Sequence, residues 1–197
     1  MGRSLGRAAV IAAAMLGVCA GGVQAKGLTV RGSAEQVLVT GAQKGQRVVL
    51  STAGGKRVAA QRAGSLGGAV FRNVKPGTYR LGGHKVKVLS QRSTPPSTKA
   101  YNQKIPSSGY GYLTTRDGTK LAIAVRLPAG GKAPYPTLVE YSGYGYANPA
   151  GGESSIAQIA QLLGYAVVDV NMRGTGCSGG SFDYFEPLQG LDGYDIV

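Results

Sequence analysis

The chain holds one histidine, two cysteines and nine acidic residues in 197. Each shortage excludes something. A lone histidine, His84, cannot anchor a metal centre when the other ligand-type residues do not cluster, so no metal and no cofactor is expected. Two cysteines cannot staple a small disulfide-rich secreted domain. The uncharged, mainly apolar stretch Ala8 to Ala20 falls short of the roughly 18 residues that span a bilayer, so no transmembrane segment is expected. Acid is nearly missing from one half. Lys26 to Lys104 carries fifteen Lys/Arg and only Glu35, whereas Ile105 to Val197 carries five Lys/Arg and eight Asp/Glu.

What is abundant is glycine, 33 residues, with nine prolines. Together they stay below the proportion that marks low-complexity chains, so the composition is globular and rich in turns. The first 25 residues have the anatomy of a secretory leader: Arg3 and Arg7, the apolar stretch, then Val23-Gln24-Ala25 as small residues at a cleavage position. Val18 before Cys19 argues against lipid attachment, and the separated arginines argue against twin-arginine export. Cleavage after Ala25 would remove Cys19 and leave Cys177 alone. The expected protein is secreted, extracellular or in a bacterial cell envelope, and held together by its core.

The charge asymmetry suggests a basic module joined to an ordinary acidic domain. A basic surface attracts wall polymers, phospholipid head groups or extracellular nucleic acid, although a merely solvated face is the simpler reading. No basic motif interleaved with aromatics supports specific nucleic-acid binding.

Residues 26–90 alternate short strands with turns. The strand candidates are Val37–Val39, Arg47–Leu50, Lys56–Ala59, Ala69–Phe71 and Lys85–Leu89, punctuated by Gly54-Gly55, Gly67-Gly68, Pro76-Gly77 and Gly82-Gly83. This predicts a small β-sandwich. The run from Phe71 to Leu81, with Tyr79 and Leu81 alternating inward, resembles the last hairpin of prealbumin-like or immunoglobulin-like modules. Residues 91–108 are polar and proline-bearing, as in a linker.

From Gly109 the pattern changes. Residues 111–115 and 120–127 flank Asp117-Gly118 and predict a hairpin. Thr137–Tyr141 reads as a buried strand. A helix is predicted from Ser155, with Gln158 completing a capping box and Ile156, Ile159, Ala160 and Leu163 at helical spacing before Gly164. Ala166–Val170 is the next strand, and a second helix is predicted from near Leu191. Strand, helix, strand with buried apolar runs indicates an α/β domain with a parallel sheet.

The loop after Val170 matches two short patterns. Gly176-Cys-Ser-Gly-Gly180 fits a nucleophile elbow around Ser178, and Gly174 to Gly179 fits a dinucleotide fingerprint. Both require a helix to start in the loop, and none is signalled. An elbow serine also needs a histidine downstream, and His84 lies upstream. Both matches read as decoys. A nucleotide site on the Gly174 loop stays as a third reading, testable by nucleotide-dependent stabilisation.

The C-terminal stretch resembles the start of the catalytic domain of the Xaa-Pro dipeptidyl-peptidase and cocaine-esterase family of α/β-hydrolases. The resemblance rests on Arg116-Asp-Gly-Thr-Lys-Leu-Ala122, Pro134 to Tyr144, Gly164-Tyr-Ala-Val-Val168, Asp169-Val-Asn-Met-Arg-Gly-Thr-Gly-Cys-Ser-Gly-Gly180 and Leu191-Asp-Gly-Tyr-Asp195. It implies residues 109–197 as the first half of an α/β-hydrolase sheet. It implies a serine hydrolase acting on a peptide or a small ester or amide, with a Ser-His-Asp triad beyond the second helix, so that the 197 residues alone are expected to be inactive. It also implies that Tyr144 donates its hydroxyl to the oxyanion, with Tyr141 and Tyr146 as competitors. Asp169, Arg173 and the neighbouring glycines are expected to shape the loop. The alternative is a secreted, non-enzymatic protein that holds anionic surfaces through its basic module.

Overall fold

The computed structural model describes residues 27–93 and 98–197; the leader expected over 1–25 lies outside them. The first unit has seven strands: β1 (Thr29–Ser33), β2 (Gln36–Thr40), β3 (Arg47–Thr52), β4 (Arg57–Arg62), β5 (Ala69–Phe71), β6 (Gly77–Leu81) and β7 (His84–Val88). They form two antiparallel sheets, ordered β1-β2-β5 and β4-β3-β6-β7. Alternation builds the core between them. Val37, Val39 and Phe71 of one sheet meet Val48, Leu50, Tyr79, Leu81, Val86 and Val88 of the other. Tyr79 and Leu81 point inward as expected, and the Tyr79 hydroxyl donates to the Lys75 carbonyl at 2.7 Å. Gly82 and Gly83, both at positive φ, make the two-residue turn of the β6–β7 hairpin. The sequence reading missed β1, whose Arg31 and Gly32 hide its alternation, and began β4 one residue too early.

The second unit is one mixed sheet, ordered β10-β11-β9-β8, from β8 (Gly109–Thr114), β9 (Lys120–Arg126), β10 (Thr137–Ser142) and β11 (Ala166–Asn171). β8 and β9 form the expected hairpin, closed where the Thr115 amide donates to the Thr119 carbonyl at 2.9 Å. β10 and β11 run parallel, joined through α1 (Ser155–Leu162). Val167 and Leu138 pack against Ala157 and Ala160 of α1 on one face. Val170, Leu121, Ile123 and Val125 meet Tyr141 and Ile196 on the other, under α2 (Pro187–Ile196).

Two helix expectations are corrected. The cap of α1 is Ser154, not Ser155: its hydroxyl accepts the Ala157 amide at 2.9 Å. The Ser155–Gln158 capping box does not form. Such a cap contributes about 1 kcal/mol. Of the predicted apolar stripe only Ala160 is buried; Ile156, Ile159 and Leu163 face outward, because the helix approaches the sheet through its two alanines. The second helix begins at Pro187, where proline's fixed φ suits the first helical position, rather than near Leu191. Its buried positions include Asp192 and Asp195, a polar face that hides the helical period.

The segment before β8 is anchored. Gln103 donates to the Thr114 carbonyl and accepts the Thr114 amide, both at 2.7 Å. The two units also touch. Arg72 of the first pairs with Asp183 at 3.2 Å and donates to the Phe182 carbonyl at 3.2 Å, and Arg31 donates to the Gly118 carbonyl at 2.6 Å.

Candidate active site

Ligands of open α/β sheets gather beyond the carboxyl ends of the parallel strands. Here that edge is made by two loops, 143–153 after β10 and 172–186 after β11. Both are held from below. The Asn171 side chain accepts the Ala147 amide at 2.9 Å and donates to the Ala147 carbonyl at 3.1 Å, which fixes the first loop to β11. Arg126 adds a second anchor by pairing with Asp169 and with Glu153 at 3.2 Å.

Arg173 fixes the second loop. Its guanidinium grips Asp192 of α2 through Nε and Nη2 at 2.6 and 2.5 Å, and donates from Nη1 to Asp117 at 3.0 Å and to Thr119 at 3.2 Å. All three charged side chains are buried, at 2–4% exposure. Arg173 thus ties together the loop, the β8–β9 turn and α2. Burial would raise the Asp117 carboxyl, but Arg173 and the Thr119 hydrogen bonds win and hold it at about 2. Burial also lifts Asp192 against the pull of Arg173, with which it makes a bidentate pair. A second buried pair, Arg116 and Asp195 at 2.6 Å, repeats the link between hairpin and α2. Arg173 and Asp169 therefore shape the loop, and no reaction centre is built on them.

The three tyrosines separate. Tyr144 projects from the first loop into solvent, 84% exposed, its ring 6.0 Å from that of Tyr146. Neighbouring Gly143 lies against Met172, Thr175 and Phe182 of the second loop. Tyr141 instead points under α2. Its hydroxyl is buried next to the Asp192 carboxylate, and burial, then that neighbouring charge, raises its pKa. It cannot reach the open edge.

The two pattern matches fail on geometry. The Ser178 hydroxyl accepts the Ala122 amide at 2.8 Å and donates to the Asn171 carbonyl at 2.7 Å, so it staples the loop to the sheet. His84, exposed on β7, belongs to the other unit. The amides of Gly174, Thr175, Ser178 and Gly179 are consumed by the carbonyls of Gly179, Met172, Thr175 and Lys120, so these four are not free to cradle a pyrophosphate. Gly176 is needed for shape: φ is +51°, and an added Cβ would sit 2.4 Å from Asn171 Nδ2. The expectation that Cys177 is left alone depends on cleavage after Ala25, which lies outside the described residues; among the described residues there is no free cysteine. Among the described residues no group of His, Cys, Asp or Glu is placed to hold a metal ion. No helix there is long and apolar enough to cross a membrane.

Sequence reasoning missed Asn171, Arg126, Asp117 and Asp192. Arg116-Asp117 and Leu191-Asp192 stand in the quoted motifs, but nothing in one chain's sequence pairs them with Arg173.

A parallel pair with helices on both faces, and an open loop edge at its carboxyl end, defines an α/β unit of the kind that carries hydrolases. Residues 117–197 match the family model of the X-Pro dipeptidyl-peptidases (S15 family). Among solved structures, an α/β serine hydrolase without lid from Xanthomonas campestris is 25% identical, with a TM-score of 0.36, covering 48% of this chain and 45% of its own. A putative hydrolase from Agrobacterium vitis S4 is 25% identical with a TM-score of 0.31, covering 45% of this chain and 37% of its own. The chain thus spans less than half the length of either structure. None of the curated proteins matches it.

Proposed function

We propose that this chain supplies one wall of the active site of a secreted serine hydrolase that cleaves an amide or ester bond, with a peptide bond after an Xaa-Pro unit as one substrate. Tyr144 is the oxyanion donor. The observation that carries this is its placement: an exposed phenol on a loop that Asn171 and Arg126 hold rigidly at the carboxyl end of β10. A fixed donor aimed where negative charge develops needs no reorganisation during the reaction. The sequence's one histidine is His84, so the serine, histidine and aspartate of a triad are not assembled from these 197 residues, which have no hydrolytic activity by themselves.

The test is hydrolysis of an Xaa-Pro anilide and of a nitrophenyl ester by the protein as its native source secretes it. Tyr144→Phe should lower kcat by about 100-fold with little change in KM, and Tyr146→Phe should not. Equal kcat for Tyr144→Phe and the wild type would remove the assignment. Turnover by purified 1–197 that is lost in Ser178→Ala would revive the elbow reading.

A second reading has its own observation. The first unit carries an unbalanced excess of cations, and its one acid, Glu35, accepts a hydrogen bond from Gln91 at 3.1 Å, so it neutralises no cation there. This supports adhesion to an anionic surface outside the cell.

A further inference from the structure

The cations of the first unit are not scattered. The outward positions of the four-stranded sheet line up by register. Arg57 of β4 is opposite Ser51 of β3, Ser51 opposite Arg80 of β6, and Arg80 opposite Lys85 of β7. A single row therefore crosses all four strands, roughly 14 Å long at the usual strand spacing. A second cross-strand pair, Arg47 and Arg62, lies further along β3 and β4, and Lys87 extends the row's edge next to Thr78. All six cations are exposed, and none is ion-paired among the described residues. Arg47, Arg57 and Arg62 border a shallow depression of about 300 Å3 with Ala60 and Gln61.

Folding does not explain this arrangement. Like charges directly opposite one another destabilise a sheet, and here two such pairs occur on one face. The arginines that dock the first unit on the second are different ones, Arg31 and Arg72. The cations gain their counter-charge from outside the chain.

The floor of the face narrows the partner. Between the cations stand Val49, Ser51, Ala60 and Thr78, small or hydroxylated side chains with no aromatic ring. Base stacking on single-stranded nucleic acid needs aromatic platforms, and lodging in a bilayer needs large apolar anchors. Small hydroxylated side chains beside charged ones suit sugars that carry anionic groups. We propose that the outer face of β4-β3-β6-β7 is a binding surface for an extended anionic glycopolymer, with its sulfate, phosphate or carboxylate groups on the Arg57–Arg80–Lys85 row. This deepens the adhesion reading and rests on it.

The test uses the full chain and fluorescently labelled heparin, read by anisotropy against salt. With six contacts, affinity should fall roughly 300-fold from about 50 to about 200 mM salt; in the triple variant Arg57→Gln, Arg80→Gln, Lys85→Gln it should fall only roughly 20-fold. The triple variant removes repulsion, so it folds, and circular dichroism verifies that. A charge-matched control, Lys104→Gln, Lys120→Gln, Lys132→Gln, should keep the wild-type salt slope. Equal loss in row variant and control would overturn the face while leaving adhesion standing. Tighter binding to duplex DNA or to phosphatidylglycerol vesicles than to heparin would overturn the glycopolymer. Absence of binding to all three probes at the lower salt would overturn both the face and the adhesion reading.

Discussion

Replacing Arg173 with methionine tests the claim that one buried guanidinium holds the candidate site together. The substitution keeps the apolar stem and deletes four hydrogen bonds, two to Asp192, one to Asp117 and one to Thr119. The two carboxylates are then unequal. Asp117 keeps the Thr115 hydroxyl at 2.8 Å and the Thr119 amide at 2.9 Å. Asp192 loses both of its charge-assisted bonds and stays buried, with the neutral Tyr141 hydroxyl as its neighbour. Breaking a buried pair from one side costs about 3–5 kcal/mol, and most of the loss should fall on Asp192. In urea at pH 7 the midpoint should drop accordingly with little change in slope. Adding Asp192→Asn should restore about half of the loss, since a neutral amide needs no counter-charge. Asp117, held at about 2 in the native chain, should titrate at higher pH once its cation is gone. A loss below about 1 kcal/mol, or no rescue by Asp192→Asn, would refute the reasoning, because such values belong to exposed pairs.

Two further outcomes follow from the same geometry. Ser178→Ala should destabilise the chain by about 1–2 kcal/mol in urea unfolding, because the Ala122 amide and the Asn171 carbonyl both lose their partner, and an unchanged midpoint would contradict the staple. Asp169 gives a pH signature: burial first, then Glu140 and Glu153, outweigh Arg126 and raise its carboxyl to about 6. The folded state binds this proton more tightly than the unfolded one, so its contribution to stability is full below about pH 4 and is lost as pH rises through about 6. Asp117 acts oppositely, contributing above about pH 4 and losing that contribution as pH falls toward 2. Unfolding midpoints should therefore rise from pH 7 to pH 5, and Asp169→Asn should flatten that rise.

The parts of the fold that local pattern dictates were legible. The inward alternation of Tyr79 and Leu81, the Asp117-Gly118 turn and the buried run of β11 report strands directly, whereas β10, expected to be a buried strand, is the edge strand of its sheet and has no buried residue, because nothing among the described residues covers its outer side. The errors cluster where another requirement outranks the pattern. In α1 the isoleucines look like the core stripe, but only alanine allows the helix to lie close on Val167, so the larger residues are left outside. In α2 the buried face is built from Leu188, Asp192 and Asp195, because two of its core partners are arginines rather than leucines. No apolar periodicity can announce such a helix. The site divides in the same way. The tyrosine cluster was readable from its motif, whereas the burial of Tyr141 under α2 and the exposure of Tyr144 are properties of the folded sheet.

The glycine-rich loop shows how a short pattern acquires its meaning from where its amides go. Spacing alone offered Ser178 as a nucleophile and Gly174 to Gly179 as a phosphate cradle. Both chemistries need groups left unsatisfied by the fold: a free hydroxyl beside a base, or free amides at a helix start. In this chain the Ser178 hydroxyl and the loop amides described above are spent within the protein, on β9, β11 and the loop itself. What the loop gains is fixed position. Arg173 holds its entrance to Asp192, and Arg72 of the first unit holds its far side through Asp183 and the Phe182 carbonyl. The basic unit therefore braces the loop that packs against Gly143, next to Tyr144. A loop braced from both sides loses little entropy on meeting a developing charge, which is what the proposed donor role of Tyr144 would require.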